Sequence, residues 1–184
     1  MIKSFSNIEF QKVAILGSTG SVGKQALDVA RKQGIEVSAI SAGTDIKALE
    51  EQIREFSPDF CAVADRGAAS RLKLAVADTG TKILSGGDGI CAMIEECGAP
   101  VVLNSISGSA GLLPTLAAVR AGRRVALANK ESLVVAGELV MAEARRCGAE
   151  IIPVDSEHSA IFQSLFAGRR EEVKKIILTA SGGP

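Results

Sequence analysis

Gly17-Ser18-Thr19-Gly20-Ser21-Val22-Gly23 follows directly on an apolar run, Val13 to Leu16, and leads into a segment of helical periodicity. A strand, a tight glycine turn and a helix start, in that order, aim backbone N–H groups and the positive end of a helix dipole at one point. A pyrophosphate can sit there with little help from side chains. The spacing is G-x-x-G-x-x-G, whereas the commoner dinucleotide fingerprint is G-x-G-x-x-G, so spacing alone leaves a plain strand-to-helix turn open. Three glycines within seven residues directly after the first apolar run is the context that favours the nucleotide loop.

Outward from this turn, Val22, Ala26, Val29 and Ala30 fall at helical spacing, which predicts a helix from about Ser21 to Gln33 with Gly34 as its C-terminal cap. A β-like run, Glu36 to Ser41, ends in Ala42-Gly43-Thr44-Asp45. An acid about twenty residues beyond the glycines takes the ribose hydroxyls of NAD, and a small or hydroxylated residue there leaves room for the extra phosphate of NADP. Asp45 reads as the cap of the next helix, whose face is Ile46, Leu49, Ile53 and Phe56, and Lys47 in its first turn is a candidate cation for that phosphate.

The rhythm then repeats. Strands are expected at Phe60 to Ala64, Lys82 to Leu84, Val101 to Leu103 and Arg124 to Ala128, with helices at Arg71 to Asp78, Asp88 to Cys97 and Pro114 to Ala121. Continuous apolar strands alternating with amphipathic helices indicate a doubly wound, mostly parallel α/β sheet. The small-residue stretch Asn104 to Gly111 stands where open α/β sheets bind ligands, either lining the groove or serving as a plain connection.

With 184 residues, 47% of them hydrophobic, the chain can form one domain plus a further part, or two small domains. Lys and Arg together number 21, as do Asp and Glu, so there is no charge excess to hold a nucleic acid or an anionic membrane. Six Phe and no Trp or Tyr make a poor base-stacking platform. Cys61, Cys91, Cys97 and Cys147 form no C-x-x-C pair, which argues against zinc and for reduced thiols in the cytoplasm. Met1 to Phe10 has no apolar stretch of signal-peptide length, and no run is long enough to span a bilayer.

Two polar clusters follow late strands. Asn129-Lys130-Glu131-Ser132 precedes a helix reaching about Cys147, either as ligand-facing residues or as a helix start capped by Asn129. After a strand at Glu150 to Val154 comes Asp155-Ser156-Glu157-His158-Ser159. On extended chain the two carboxylates share one side and suit Mg²⁺ or Mn²⁺; as a helix start, Asp155 or Ser156 is a cap. His158, the single histidine, receives no role.

Gly17 to Gly23, Gly111 to Ala118, Leu127 to Ser132, Pro153 to Gln163 and Ser181-Gly182-Gly183-Pro184, in this order, resemble the 1-deoxy-D-xylulose 5-phosphate reductoisomerase family. The resemblance implies a Rossmann-like NADP-binding domain, residues 1–152, and the beginning of an α/β catalytic, metal-binding domain, residues 153–184. It implies an enzyme of non-mevalonate isoprenoid biosynthesis that rearranges a phosphorylated deoxyketose and reduces the product with NADPH, aided by Mn²⁺, Mg²⁺ or Co²⁺. By motif, Thr19, Gly20, Ser21 and Val22 would hold the cofactor pyrophosphate, Gly43, Thr44 and Asp45 its adenosine ribose, and Asn129 and Glu131 would also touch NADPH. Lys130, Ser156 and Ser181 would bind the sugar phosphate, Asp155 and Glu157 the metal, with Lys130 and Glu157 as catalytic residues. Thr44 and Asp45 stand where the family often has Lys and Asn, which leaves the choice between NADPH and NADH open. Family members are longer, so the chain is expected to be an N-terminal part, inactive alone, and a homodimer is implied only for the full-length protein. A dehydrogenase of the homoserine or aspartate-semialdehyde type, or a non-catalytic nucleotide-binding module, are the competing expectations.

Overall fold

The computed structural model describes residues 11–179; Met1 to Phe10, read above for an export signal, and the Ser181 to Pro184 motif lie outside the described residues. The elements alternate strictly from β1 (Lys12–Leu16) and α1 (Ser21–Gln33) through β2 (Glu36–Ala42), α2 (Ile46–Phe56), β3 (Phe60–Val63), α3 (Arg66–Ala75), β4 (Lys82–Ser85) and α4 (Gly86–Glu96). They continue with β5 (Val101–Asn104), α5 (Leu112–Arg120), β6 (Arg124–Leu127), α6 (Glu131–Cys147), β7 (Ile151–Pro153) and α7 (Ser156–Ser164). The seven strands form one sheet in the order β4-β3-β2-β1-β5-β6-β7, and every neighbouring pair is parallel.

The order places the helices. Parallel crossovers are right-handed, so walking outward from β1 toward β4 lays α1, α2 and α3 on one face, and walking the other way from β5 to β7 lays the later helices on the opposite face. The core divides accordingly. Val13 and Ile15 of β1 join Leu27, Leu49, Ile53 and Leu72, while Ala14 and Leu16 join Met93, Ile94, Val119 and Val140. Strand alternation thus feeds both faces, which is why the strands read as continuous apolar runs. In β2 the register advances two residues, Val37 to Ala39, against one in β1, Val13 to Ala14. Ser38 is the extra residue, its hydroxyl donating to the Val13 carbonyl at 3.4 Å, and the bulge turns both Val37 and Ile40 to the same face.

The doubly wound parallel sheet and most element positions agree with the sequence reading; three segments differ. The third helix starts at Arg66, five residues earlier than expected, because Asp65 caps it by accepting the Ala68 N–H at 2.6 Å. Val76 follows its last turn. Residues 173–179, expected to begin a strand from Lys174 to Ala180, carry no regular structure. A strand needs a partner edge, and none of the described strands pairs with this segment. The carboxylate pair after β7 is not on extended chain, as described below. The four cysteines are free thiols, with Cys61 and Cys97 buried and Cys91 and Cys147 half-buried.

The turn after β1 is the tightest point of the fold. Gly17 has φ +78°, and a Cβ there would lie 2.9 Å from the Ser105 carbonyl oxygen; a Cβ on Gly23 would lie 2.2 Å from the Gly17 carbonyl oxygen. Gly23→Ala is therefore expected to lower stability in urea unfolding by about 2 kcal/mol or more. Gly87→Ala, in the first turn of α4 where the added carbon meets nothing beyond its neighbours and its own helix, is expected to leave stability equal or raise it by up to about 1 kcal/mol.

Candidate functional site

The strand order reverses between β1 and β5, and open α/β sheets bind ligands in the crevice beyond the carboxyl ends of the strands at such a switch point. One wall of this crevice is the Gly17–Gly23 turn. Its backbone is tied to β2, since the Gly17 and Ser18 N–H groups donate to the Ser41 carbonyl at 2.9 and 2.8 Å. Beneath it the buried Ser18 hydroxyl donates to Gln52 Oε1 at 2.6 Å, and Gln52 Nε2 returns a bond to the Ser18 carbonyl at 3.1 Å. The other wall is the Ser105–Gly111 loop. Ser105 donates from Oγ to the Leu16 and Gly17 carbonyls at 2.7 and 3.3 Å, stitching the ends of β1 and β5 together.

Helix α1 begins without a side-chain cap and without an acidic residue in its first turn. Its leading N–H groups and dipole therefore face the crevice at the position of Thr19, Gly20, Ser21 and Val22. Helix α2 is different: Asp45 accepts the Ala48 N–H at 3.1 Å. The carboxylate beside Gly43 and Thr44 is committed to its own helix, as the cap reading expected.

On the β6 side, Asn129 is buried and Lys130 exposed. Asn129 Oδ1 accepts the Ser132 N–H at 3.0 Å, so the capping alternative for this residue holds. Its amide donates to the Ile106 and Gly108 carbonyls at 2.6 and 2.8 Å and to Glu131 Oε2 at 3.2 Å. Helix α6 is bent at Ala136, whose φ of −144° and ψ of 34° leave the helical region.

Beyond β7 the structure takes the helix-cap alternative over the extended-chain one. Asp155 caps α7, and Glu157 lies in the first helical turn, because the side chain of Asp155 accepts the His158 N–H at 3.4 Å. Asp155 also meets His158 Nδ1 at 2.8 Å through both oxygens. Glu157 accepts from Ser156 Oγ at 2.9 Å. That bond holds the Glu157 carboxyl below the ordinary carboxylate range, with the Lys130 ammonium adding in the same direction. Lys130, Asp155 and His158 line one 210 Å³ cavity with Leu127 and Pro153. Ser156 and Glu157 line an adjacent cleft of 810 Å³ against residues 172–179. Among the described residues no three His, Cys, Asp or Glu side chains converge as a metal site. Ser181 lies outside the described residues.

The groove-lining alternative for the Asn104–Gly111 stretch holds, but the sequence assigns no individual role to Asn104 or Ser105 within it, nor to Gln52 and Thr115, all of which shape the walls. Gln52 had a local signal, a polar residue set in the stripe of Leu49, Ile53 and Phe56. Ser105 had none, its partners lying 88 and 89 positions away.

A family profile described as 1-deoxy-D-xylulose 5-phosphate reductoisomerase matches residues 13–137, and one described as the C-terminal domain of that enzyme matches residues 151–184. The chain belongs to this family. A reductoisomerase of Agathobacter rectalis is 49% identical over 177 residues, covering 95% of the chain and 46% of the relative. One from Anaeromyxobacter sp. strain K is 53% identical over 176 residues, covering 95% and 45%. The chain thus spans under half the length of the curated relatives it matches. Among solved structures, the reductoisomerase from Zymomonas mobilis in complex with NADPH has a TM-score of 0.80 at 38% identity, over 84% of this chain and 41% of that one. A reductoisomerase solved with NADPH, fosmidomycin and magnesium also has 0.80, at 39% identity, over 83% and 38%. A hyperthermophilic archaeal homoserine dehydrogenase, at 17% identity and a TM-score of 0.54 over 81% of this chain and 44% of that one, shares the fold alone.

The depressed Glu157 carboxyl is testable. Ser156→Ala removes its largest support and is expected to raise the Glu157 titration midpoint toward the ordinary value, read by NMR of the side-chain carboxyl carbon; Lys130→Met is expected to give a smaller rise. A folded value below the unfolded one adds stability that is present above the unfolded value and is lost as pH falls through the folded one, so the variant's difference from wild type should disappear in acid.

Proposed function

We propose that this chain is the cofactor-binding part, with the beginning of the catalytic part, of an NADPH- and metal-dependent 1-deoxy-D-xylulose 5-phosphate reductoisomerase. In that reading the complete protein converts 1-deoxy-D-xylulose 5-phosphate to 2-C-methyl-D-erythritol 4-phosphate in non-mevalonate isoprenoid biosynthesis. The observation that carries it is the crevice at the β1/β5 switch point, with an uncapped α1 on one wall and Lys130 sharing a cavity with Asp155 two strand ends away. The second matched segment starts at residue 151, two residues before the proposed division of the chain into residues 1–152 and 153–184. Activity belongs to the longer protein, a homodimer in this proposal, and the working location is the cytoplasm. Balanced charge argues against nucleic acid as a partner, and no helix among the described residues is long and apolar enough to cross a membrane.

The crevice fits a dinucleotide. The N–H groups of the Thr19–Val22 stretch would hold the pyrophosphate, except that of Gly20, which donates to the Gly17 carbonyl at 3.0 Å; Gly43 and Thr44 would hold the adenosine ribose and its phosphate, and Asn129 and Glu131 would also touch the cofactor. Asp45 would stand near the ribose, with its carboxylate turned to accept the Ala48 N–H, so its charge is aimed at α2 more than at a 2′-phosphate. The metal fit is partial: Asp155 and Glu157 would supply two carboxylates, Asp155 being hydrogen-bonded to His158 in this structure, and further oxygens would have to come from substrate and from the longer protein. When bound, NADPH supplies the hydride and a divalent ion draws charge from the ketose oxygens. Lys130 places an ammonium beside those oxygens, Ser156 and Ser181 hydrogen-bond the sugar phosphate, and Glu157 holds its negative charge near Lys130.

Calorimetric titration of the chain with NADPH and with NADH is expected to show the tighter binding for NADPH. Tighter NADH binding would mean that Asp45 acts on the ribose, and no binding of either would overturn the cofactor reading. In the full-length protein Asp155→Asn is expected to lower turnover roughly a hundredfold while leaving the NADPH dissociation constant unchanged. An equal loss of NADPH affinity would remove Asp155 from the metal assignment.

A further inference from the structure

Beneath the Ser105–Gly111 loop four polar side chains are buried together. Asn104, Thr115 and Ser132 are 0% exposed and Asn129 is 2% exposed. Asn104 Nδ2 donates to Thr115 Oγ1 at 2.8 Å and to the Gly111 carbonyl at 2.9 Å. Thr115 Oγ1 stands 3.3 Å from Ser132 Oγ, and Ser132 Oγ donates onward to Asn129 Oδ1. Asn129 then donates to the Ile106 and Gly108 carbonyls, and Asn104 Oδ1 closes the set by accepting the Ile106 N–H at 3.1 Å.

Residues from the end of β5, from α5 and from the start of α6 are thus joined in one relay, and four main-chain groups of the loop are its outlets: Ile106 N–H, Ile106 C=O, Gly108 C=O and Gly111 C=O. A threonine bonding the carbonyl four residues back, as Thr115 does to Gly111 at 2.8 Å, is ordinary in a helix. Accepting from Asn104 while touching Ser132 is not part of that local habit. A core position of this shape could hold valine, and a fully satisfied polar network holds one geometry where an apolar contact would hold several.

We propose that Thr115, together with Asn104, is a positioning residue for the cofactor crevice, and that the Asn129 amide belongs to the same brace. The donors and acceptor of the Asn129 side chain are all taken by the loop, by Glu131 and by Ser132. The brace sets how far the Ser105–Gly111 wall stands from the Gly17–Gly23 wall, and Ser105 passes that setting to the Leu16 and Gly17 carbonyls. The inference rests on reading the crevice as an NADPH site.

The test compares Thr115→Val, which keeps the shape and loses the hydroxyl, with Thr115→Ser, which keeps the hydroxyl. Leu72→Ala, in the core of the other face, controls for general loss of stability. Two quantities are read on the full chain: amide hydrogen exchange of residues 105–111, and the NADPH dissociation constant. Thr115→Val is expected to speed loop exchange and weaken NADPH binding, each roughly tenfold. Thr115→Ser is expected to restore both, and Leu72→Ala to leave the dissociation constant within about twofold.

If Thr115→Val does not fold, Ser132→Ala breaks the same relay one link on, with the same two readouts. Wild-type loop exchange in the valine variant overturns the brace. Faster loop exchange with unchanged NADPH affinity overturns the positioning role. Failure of the wild type to bind NADPH overturns the cofactor reading itself, a result separate from the other two.

Discussion

The Gly17 backbone lies so close to Ser105 that a side-chain carbon at position 17 would stand 2.9 Å from the Ser105 carbonyl oxygen. This approach joins the two halves of the sheet at the point where strand order reverses, and the crevice exists because of it. A parallel sheet has no hairpins, so each connection must cross over a face, and right-handed crossing sends the helices of the two halves to opposite sides. Between the halves the strand ends are left uncovered by any crossover helix. The Gly17–Gly23 turn and the Ser105–Gly111 loop fill that gap without closing it, because glycine on one wall and Ser105 on the other allow main chain to meet main chain.

Helix termini divide the work around this crevice. Helices α2, α3 and α7 are each capped by an aspartate, Asp45, Asp65 and Asp155, which satisfies leading N–H groups and offsets the dipole. Helix α1 lacks such a cap, as do α4 and α5, and of these three α1 is the one that follows the Gly17–Gly23 turn at the switch point. Two of the capping carboxylates are turned toward their own helices. Asp45 points its charge into α2, and Asp155 points its charge into α7 and toward His158.

The fold was legible because its signals are local. The apolar run at Val13, the glycine turn, the stripe through Ile46, Leu49 and Ile53, and Gly34 at the end of α1 each sit within a few residues of what they specify. One difference came where a partner distant in sequence was needed, and two came from aspartate caps only three residues from the N–H they accept, Asp65 to Ala68 and Asp155 to His158. The segment from Lys174 has the composition of a strand, yet strand formation depends on an edge to pair with, and composition does not name one. Asp155 and Glu157 look like a pair on extended chain only until Asp155 starts a helix, which rotates Glu157 into the first turn.

By itself the sequence determined the class of fold, the place of the nucleotide-type loop, the capping role of Asp45 and the family. These follow from periodicity, from the conformational demands of glycine, and from motifs held within short stretches. Tertiary structure alone decided that the β1 and β5 loops are stitched by Ser105, that Gln52 supports the glycine turn from α2, and that the Asn129 amide is spent on Ile106 and Gly108. The physical reason is range: a hydrogen bond depends on which atoms the finished packing brings within about 3 Å, and no pattern along the chain encodes a partner such as Leu16, which lies 89 residues from Ser105.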